Sequence, residues 1–251
     1  MPAVRRVPRA PSAPARRART GSQRSLFFGA AGLLVAGDAF FWFILAAVQS
    51  DSGPAALDSP VHDGLVGSRN PLATGVLTAV ATVTSPLWMA LIGLAIALAW
   101  AAWNREIWRP GLLMGAMAAS FGLSTLIGHG VDRARPSAGD FMLGPADSLS
   151  FPSGHTFGAG VFLLVLAYLF VAGRAKPTTA VLAFAGAAAG TAVVALARLY
   201  LGYQWLTDVL ASLGLAVAVT GTVILVDGLR TARSAGNAGA PRVGAGPAEA
   251  P

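Results

Sequence analysis

Residues 152–171 read PSGHTFGAGVFLLVLAYLFV, a Pro-Ser-Gly-His turn that runs without a break into an apolar segment. A bilayer requires about 20 apolar residues of a helix, and from Thr156 no charged side chain appears until Arg174. The turn therefore sits at the mouth of a membrane span. Ser153 is of N-cap type, and Gly154 lets a ligand approach the first backbone N–H groups, where free donors and the helix dipole favour an anion. His155, one position on, can give a proton to a leaving alkoxide.

Outward from this segment the same pattern recurs. Apolar runs at residues 26–48, 86–103, 110–129, 178–197 and 209–226 each approach the length of a span, which makes six with 156–172. The chain is 55% hydrophobic and 12% charged, too little polar surface for a soluble globule of 251 residues. The expected fold class is all-α, a polytopic membrane protein with a six-span bundle over residues 25–229. Residues 57–83 are less apolar, and Asn70-Pro71 interrupts them, so an interfacial helix leading into a short packed helix is expected there rather than a seventh span.

The run at 26–48 is too long for the apolar core of a signal peptide and is read as a retained span. Residues 1–24 hold seven arginines among Pro, Ala and Ser and are expected to be a disordered basic tail, as are the Ala- and Gly-rich residues 230–251. The net charge of +7 lies outside the spans, which fits a membrane-facing tail better than a nucleic-acid partner. Cysteine is absent, which excludes disulfides, thiolate metal sites and cysteine nucleophiles.

Loop charges give an orientation, since cytoplasmic loops are enriched in Lys and Arg. With six spans, the N-terminal tail, Arg105 and Arg109, Arg174 and Lys176, and Arg230 and Arg233 all fall on one side. Both termini are then cytoplasmic in a multi-pass plasma-membrane protein. The opposite, extracytoplasmic side receives the loop with Asp51, Asp58 and Asp63, residues 130–153, and the turn 198–208.

Two more short segments converge on that outer face. Arg135-Pro136 follows one span, with Arg133 two positions earlier as a further candidate, and Arg198 ends another. Alone, each arginine reads as an interfacial anchor for lipid headgroups. Together, guanidinium forks from separate helices make a cradle for a phosphate. Arg198 is followed by Gln204 and then by Asp208 at a further spacing of four.

Arg135-Pro136, Pro152-Ser153-Gly154-His155 and Arg198-x5-Gln204-x3-Asp208 together resemble the three-part signature of the type 2 phosphatidic acid phosphatase (PAP2) family, membrane lipid phosphatases related to vanadium haloperoxidases. The resemblance implies that Arg135, Arg198, Ser153 and Gly154 bind phosphate and that His155 protonates the leaving group, with no metal and no cofactor. It implies a lipid phosphate as substrate, a phosphatidic acid-like or polyprenyl (undecaprenyl pyrophosphate-like) phosphomonoester or pyrophosphate. In the family an aspartate, here Asp208, orients a histidine nucleophile four residues earlier, and a lysine opens the first segment. This chain departs at both places, with Gln204 and Gly128.

An amide nitrogen has its lone pair delocalised into the carbonyl, so Gln204 cannot form the phosphoenzyme that an imidazole would. Direct attack by water held at Gln204 and Asp208, recruitment of His129, or a pseudophosphatase that only binds lipid phosphates are the open alternatives. A small transporter is a further rival. His129 reads first as a histidine at a helix end. Asp38 lies within the first span and is expected to face the bundle interior, paired or protonated. His62 and Asp63 lack further ligands for a metal, and Trp88, Tyr200, Tyr203 and Trp205 read as interfacial aromatics. Nothing in the sequence sets the oligomeric state.

Overall fold

The computed structural model describes residues 13–145, 149–172 and 176–239, and among them it is all-helical. The helices are α1 (Ala13–Ser50), α2 (Asp58–Gly67), α3 (Pro71–Val83), α4 (Pro86–Asn104), α5 (Trp108–Val131), α6 (Gly154–Val171), α7 (Pro177–Tyr200) and α8 (Leu206–Gly239). Short 3₁₀ turns occupy Gly53–Leu57 and Ala138–Asp140. Six of these helices contain segments long and apolar enough to cross a membrane: Arg24–Ser50, Pro86–Asn104, Trp108–Val131, Gly154–Val171, Pro177–Tyr200 and Leu206–Ser234. The expected short helix is α3, which packs on α7.

Local chemistry sets the helix starts. Proline at the first turn needs no donor and has its φ preset, and it opens α3, α4 and α7. At α3 the Asn70 side chain also accepts from the Ala73 N–H at 2.9 Å, closing one orphan donor. The chain then leaves α7 through Gly202 at φ +86, where a Cβ would lie 2.5 Å from the Asp140 carbonyl oxygen. Only glycine fits that turn, and the turn carries Tyr203 and Gln204 into the bundle.

α6 is the buried centre. Phe157, Val161 and Val165 recur at a spacing of four and are fully buried, and Leu169 continues the row. α1 and α8 cross closely because glycines lie in the contact: a Cβ at Gly37 would stand 2.5 Å from the Gly214 carbonyl, and one at Gly221 would stand 2.7 Å from the Ala30 carbonyl. The outer surfaces are apolar in the way a lipid-facing surface must be. Leu87, Leu91, Leu94 and Leu98 form an exposed stripe down α4.

Two expectations are corrected. The helical backbone of α1 begins at Ala13, inside the segment read as a disordered tail, and α8 runs to Gly239 rather than stopping near 229. Ala and Arg are good helix formers, and a formed span adds flanking residues at little cost, so the helices run on through Gly21 and Gly236. Residues 1–12, Arg174 and residues 240–251 lie outside the described residues. Asp38 does not face the interior: it is exposed. Gly37 packs against α8, and one residue of helix rotates Asp38 by about 100° away from that contact.

Candidate active site

The three motif segments meet at one end of the bundle, around a cavity of about 980 Å³ between α4, α5, α6 and the α7–α8 turn. Arg135, His155, Gly154, Arg198 and Gln204 line its polar end, with Gly128 and His129 from the last turn of α5. Leu87, Met89, Met114, Met117 and Phe121 line an apolar arm running between α4 and α5. One end of the cavity suits an anion and the other suits a hydrocarbon chain.

Arg135 is anchored by backbone carbonyls. Its guanidinium donates to the Tyr203 carbonyl through Nη1 and to the Leu149 carbonyl through Nη2, the latter at 3.0 Å. Burial pushes it below the ordinary arginine value, while the Asp208 carboxylate and Tyr203 pull the other way. A guanidinium remains cationic at neutral pH.

Arg198, in the last turn of α7, is 6% exposed. It lies over the Tyr203 ring at 4.4 Å, and its Nε is buried with no hydrogen-bond partner. The Gln204 side chain is buried too, and its Oε1 has no partner. Orphaned buried side-chain atoms are uncommon: among the described residues they are His62 Nδ1, Arg198 Nε and Gln204 Oε1, and the last two belong to one cavity wall.

Gly154 opens α6, whose first intrahelical bond is from the Phe157 N–H to the Ser153 carbonyl at 2.9 Å. The N–H groups of Gly154 and His155 precede that bond. Ser153 departs from the expectation that it holds phosphate. Its side chain is fully buried and donates to Thr156 Oγ1 at 3.0 Å, while its N–H donates to the Asp208 carbonyl at 3.3 Å. The Thr156 hydroxyl and the Asp208 carbonyl engage both donors, so Gly154 is the part of the pair that reaches the cavity.

A second polar cluster lies behind this wall. Arg133 donates to Asp58 Oδ2 and to Asp208 Oδ1, each at 2.6 Å, and to Thr207 Oγ1 at 2.7 Å. Asp208 Oδ2 accepts from Ser150 Oγ and, at 2.8 Å, from the Trp205 N–H. Asp58 also accepts from the Thr207 N–H and hydroxyl at 2.8 and 2.7 Å. Arg133 is thus an ion-pair strut rather than a phosphate ligand, because two carboxylates take its fork. Asp208 holds the turn ahead of α8 and Arg133, and it makes no hydrogen bond to the Gln204 side chain among the described residues.

Other residues find different places from those expected. Tyr203 is buried, stacks on Phe141 at 4.6 Å, and uses its hydroxyl to join Leu143 N–H and Gly144 C=O, so it is a scaffold for Arg198 rather than an interfacial aromatic. Tyr200 is buried as well, its hydroxyl accepting from the Asn70 N–H at 2.7 Å. His62 is buried and paired with Asp140 at 3.2 Å. His129 lines the cavity rim, with Nδ1 2.7 Å from the Thr125 carbonyl one turn back. At Gly128, which is buried, a Cβ would meet the Phe151 carbonyl at 3.3 Å. Sequence reasoning missed Asp58, Ser150 and Tyr203 as parts of the site, since their partners lie far away in the chain.

Comparison with known proteins finds a family match and a shared fold. Residues 109–231 match the PAP2 superfamily. The phosphatidylglycerophosphatase B of Bacillus subtilis (strain 168) is 28% identical over 181 residues, 70% of this chain and 86% of that protein. The crystal structure of a transmembrane PAP2 type phosphatidylglycerolphosphate phosphatase from Bacillus subtilis shares the fold with a TM-score of 0.67, at 24% identity, over 77% of this chain and 94% of that one.

Proposed function

We propose that this chain binds a lipid phosphate at the extracytoplasmic face and hydrolyses its phosphomonoester or pyrophosphate bond, a reading supported by the match of residues 109–231 to the PAP2 superfamily. The observation that carries this reading is the cavity itself, with Arg135 and Arg198 at one end and an apolar arm at the other. The two guanidinium groups and the first N–H groups of α6 hold the phosphate oxygens. An acyl or polyprenyl chain lies between α4 and α5. The likeness to a phosphatidylglycerophosphatase supports a phosphorylated lipid without fixing which one.

Gln204 shapes the chemistry. It cannot attack phosphorus, so hydrolysis takes the form of direct displacement by water. The water oxygen forms the new bond to phosphorus, the bond to the lipid oxygen breaks, His155 gives that oxygen its proton, and the proton of the water passes to a phosphate oxygen and from the product phosphate back to His155. The buried Gln204 Oε1 is an acceptor for the attacking water. The same residue supports a second reading, a pseudophosphatase that binds lipid phosphates: Asp208 is fully engaged by Arg133, Ser150 and the Trp205 N–H.

Phosphate release by the purified chain, from phosphatidic acid and from a polyprenyl diphosphate in the presence of a chelator, separates the two readings. Release supports the enzyme, and tight binding of either lipid without release supports the binder. For the facing of the site, Ser137→Cys and Ser12→Cys use the absence of native cysteine. On intact cells a membrane-impermeant maleimide labels only Ser137→Cys if the site faces outward.

A further inference from the structure

The end of the bundle away from the cavity holds a second concave surface. A groove of about 740 Å³ runs between α5 and α8, starting at Trp108 and Arg230. Trp108 is 20 residues from Gly128 along α5, or about 30 Å at 1.5 Å per residue, so this mouth lies one hydrocarbon thickness from the phosphate cradle. Gly111 and Gly115 line the groove, and a Cβ at either would meet nothing within 4 Å. They contrast with Gly37, Gly214 and Gly221, which neighbouring backbone crowds. Among the described residues, no helix fills the space beside Gly111 and Gly115. Val219, Val223 and Val226 make the opposite wall apolar.

A fixed cation stands at the mouth. The Arg230 guanidinium lies 4.0 Å over the Trp108 ring, and the Trp108 indole N–H donates to Asp227 Oδ1 at 2.8 Å. Asp227 Oδ2 accepts from the Tyr168 hydroxyl at 3.0 Å. Tyr168, Asp227 and Trp108 thus form a braced row that holds the guanidinium in place. Asp227 has both oxygens occupied by these donors, and among the described residues no acidic side chain lies within ion-pair distance of Arg230. Nearby Arg109 is paired with Glu106 at 3.7 Å.

We infer that the α5–α8 groove binds one anionic phospholipid of the leaflet opposite the phosphate cradle, with its phosphate on Arg230 and an acyl chain along Gly111 and Gly115. A planar fork held at the mouth matches phosphate oxygens, and the apolar walls match the chain. A second copy packed symmetrically and in parallel through the same groove would bring two Arg230 side chains toward each other, which like charge opposes.

Native mass spectrometry of the full chain, with dioleoyl phosphatidylglycerol and dioleoyl phosphatidylcholine as probes, tests the inference. The wild type should retain the anionic lipid about fivefold more than the zwitterionic one, the scale of one interfacial arginine. Arg230→Gln should abolish that preference. Gly115→Leu fills the groove from a position with open space beside it and should lower retention of both lipids. Equal retention by the wild type, or a preference that survives Arg230→Gln, overturns the inference. So does competition by glycerol phosphate as effective as by the intact lipid, which would assign a headgroup site alone. Loss of a dimer in Gly115→Leu with lipid retention unchanged would give the groove to a second copy and would also overturn it.

Discussion

Two polar clusters sit back to back at the same rim of the bundle, and they differ in closure. In the Asp58, Arg133 and Asp208 cluster every charged oxygen has a donor, and Arg133 has two carboxylates. In the Arg135, Arg198 and Gln204 cluster, Arg198 Nε and Gln204 Oε1 are buried without partners, and a cavity opens beside them. Burying a polar group unpaired is unfavourable, so a fold keeps such groups where something else completes them. The closed cluster is architecture, and the open one is a place for a ligand. Sequence motifs do not separate the two, since Arg133 and Arg135 stand in the same tripeptide.

The largest expected effect probes the open cluster. Gln204→His puts an imidazole on the wall that already holds both arginines and His155. Removing the nucleophile of a cooperative catalytic unit can cost on the order of 10⁶ in rate, so lipid-phosphate turnover should rise by roughly 10³ or more in this variant. A rise below about tenfold would mean that Arg133 keeps Asp208 from orienting the imidazole. The two clusters would then be coupled rather than separate.

Next in size is a stability contrast. Arg133→Met leaves Asp58 and Asp208 buried without their shared cation, and breaking a buried pair in this way costs about 3–5 kcal/mol. Arg198→Met removes a buried guanidinium with no carboxylate partner among the described residues, so it should be neutral or slightly stabilising. Denaturation followed by circular dichroism in detergent measures both. Equal losses in the two variants would erase the distinction between closed and open.

The smallest effect is at Gly128, where Lys would add a third cation to the cavity. A hydrogen bond from a charged donor contributes about 1.5–3 kcal/mol. The 3.3 Å approach of a Cβ to the Phe151 carbonyl takes part of that back, because backbone gives way less readily than a side-chain tip. Isothermal titration with a lipid phosphate should show a modest gain in affinity. A loss would mean that the Phe151 carbonyl does not yield.

Much of this molecule was legible before its structure. Six apolar runs of span length fixed the architecture, because in a bilayer length and hydropathy leave little choice. The meeting of Arg135, His155, Arg198 and Gln204 was legible too, since span counting places all three segments on one face. The rest depended on helical phase and on partners distant in sequence. Asp38 looked like an interior carboxyl until the Gly37 contact with α8 set the rotation of α1. Asp58 lies 75 residues from Arg133, and no local pattern announces that pairing. The N–H of Ser153 meets the Asp208 carbonyl only after α6 and α8 have packed.

The most direct test of the open cluster is equilibrium binding of a lipid phosphate to the wild type and to Arg198→Ala, with vanadate as a competitor and circular dichroism to verify folding. Truncating one partner of a desolvated charged contact costs about 2–5 kcal/mol, so affinity should fall by roughly 30-fold or more in the variant and vanadate should compete in the wild type. Equal affinity in the two folded proteins would contradict the assignment and leave Arg198 as an interfacial anchor.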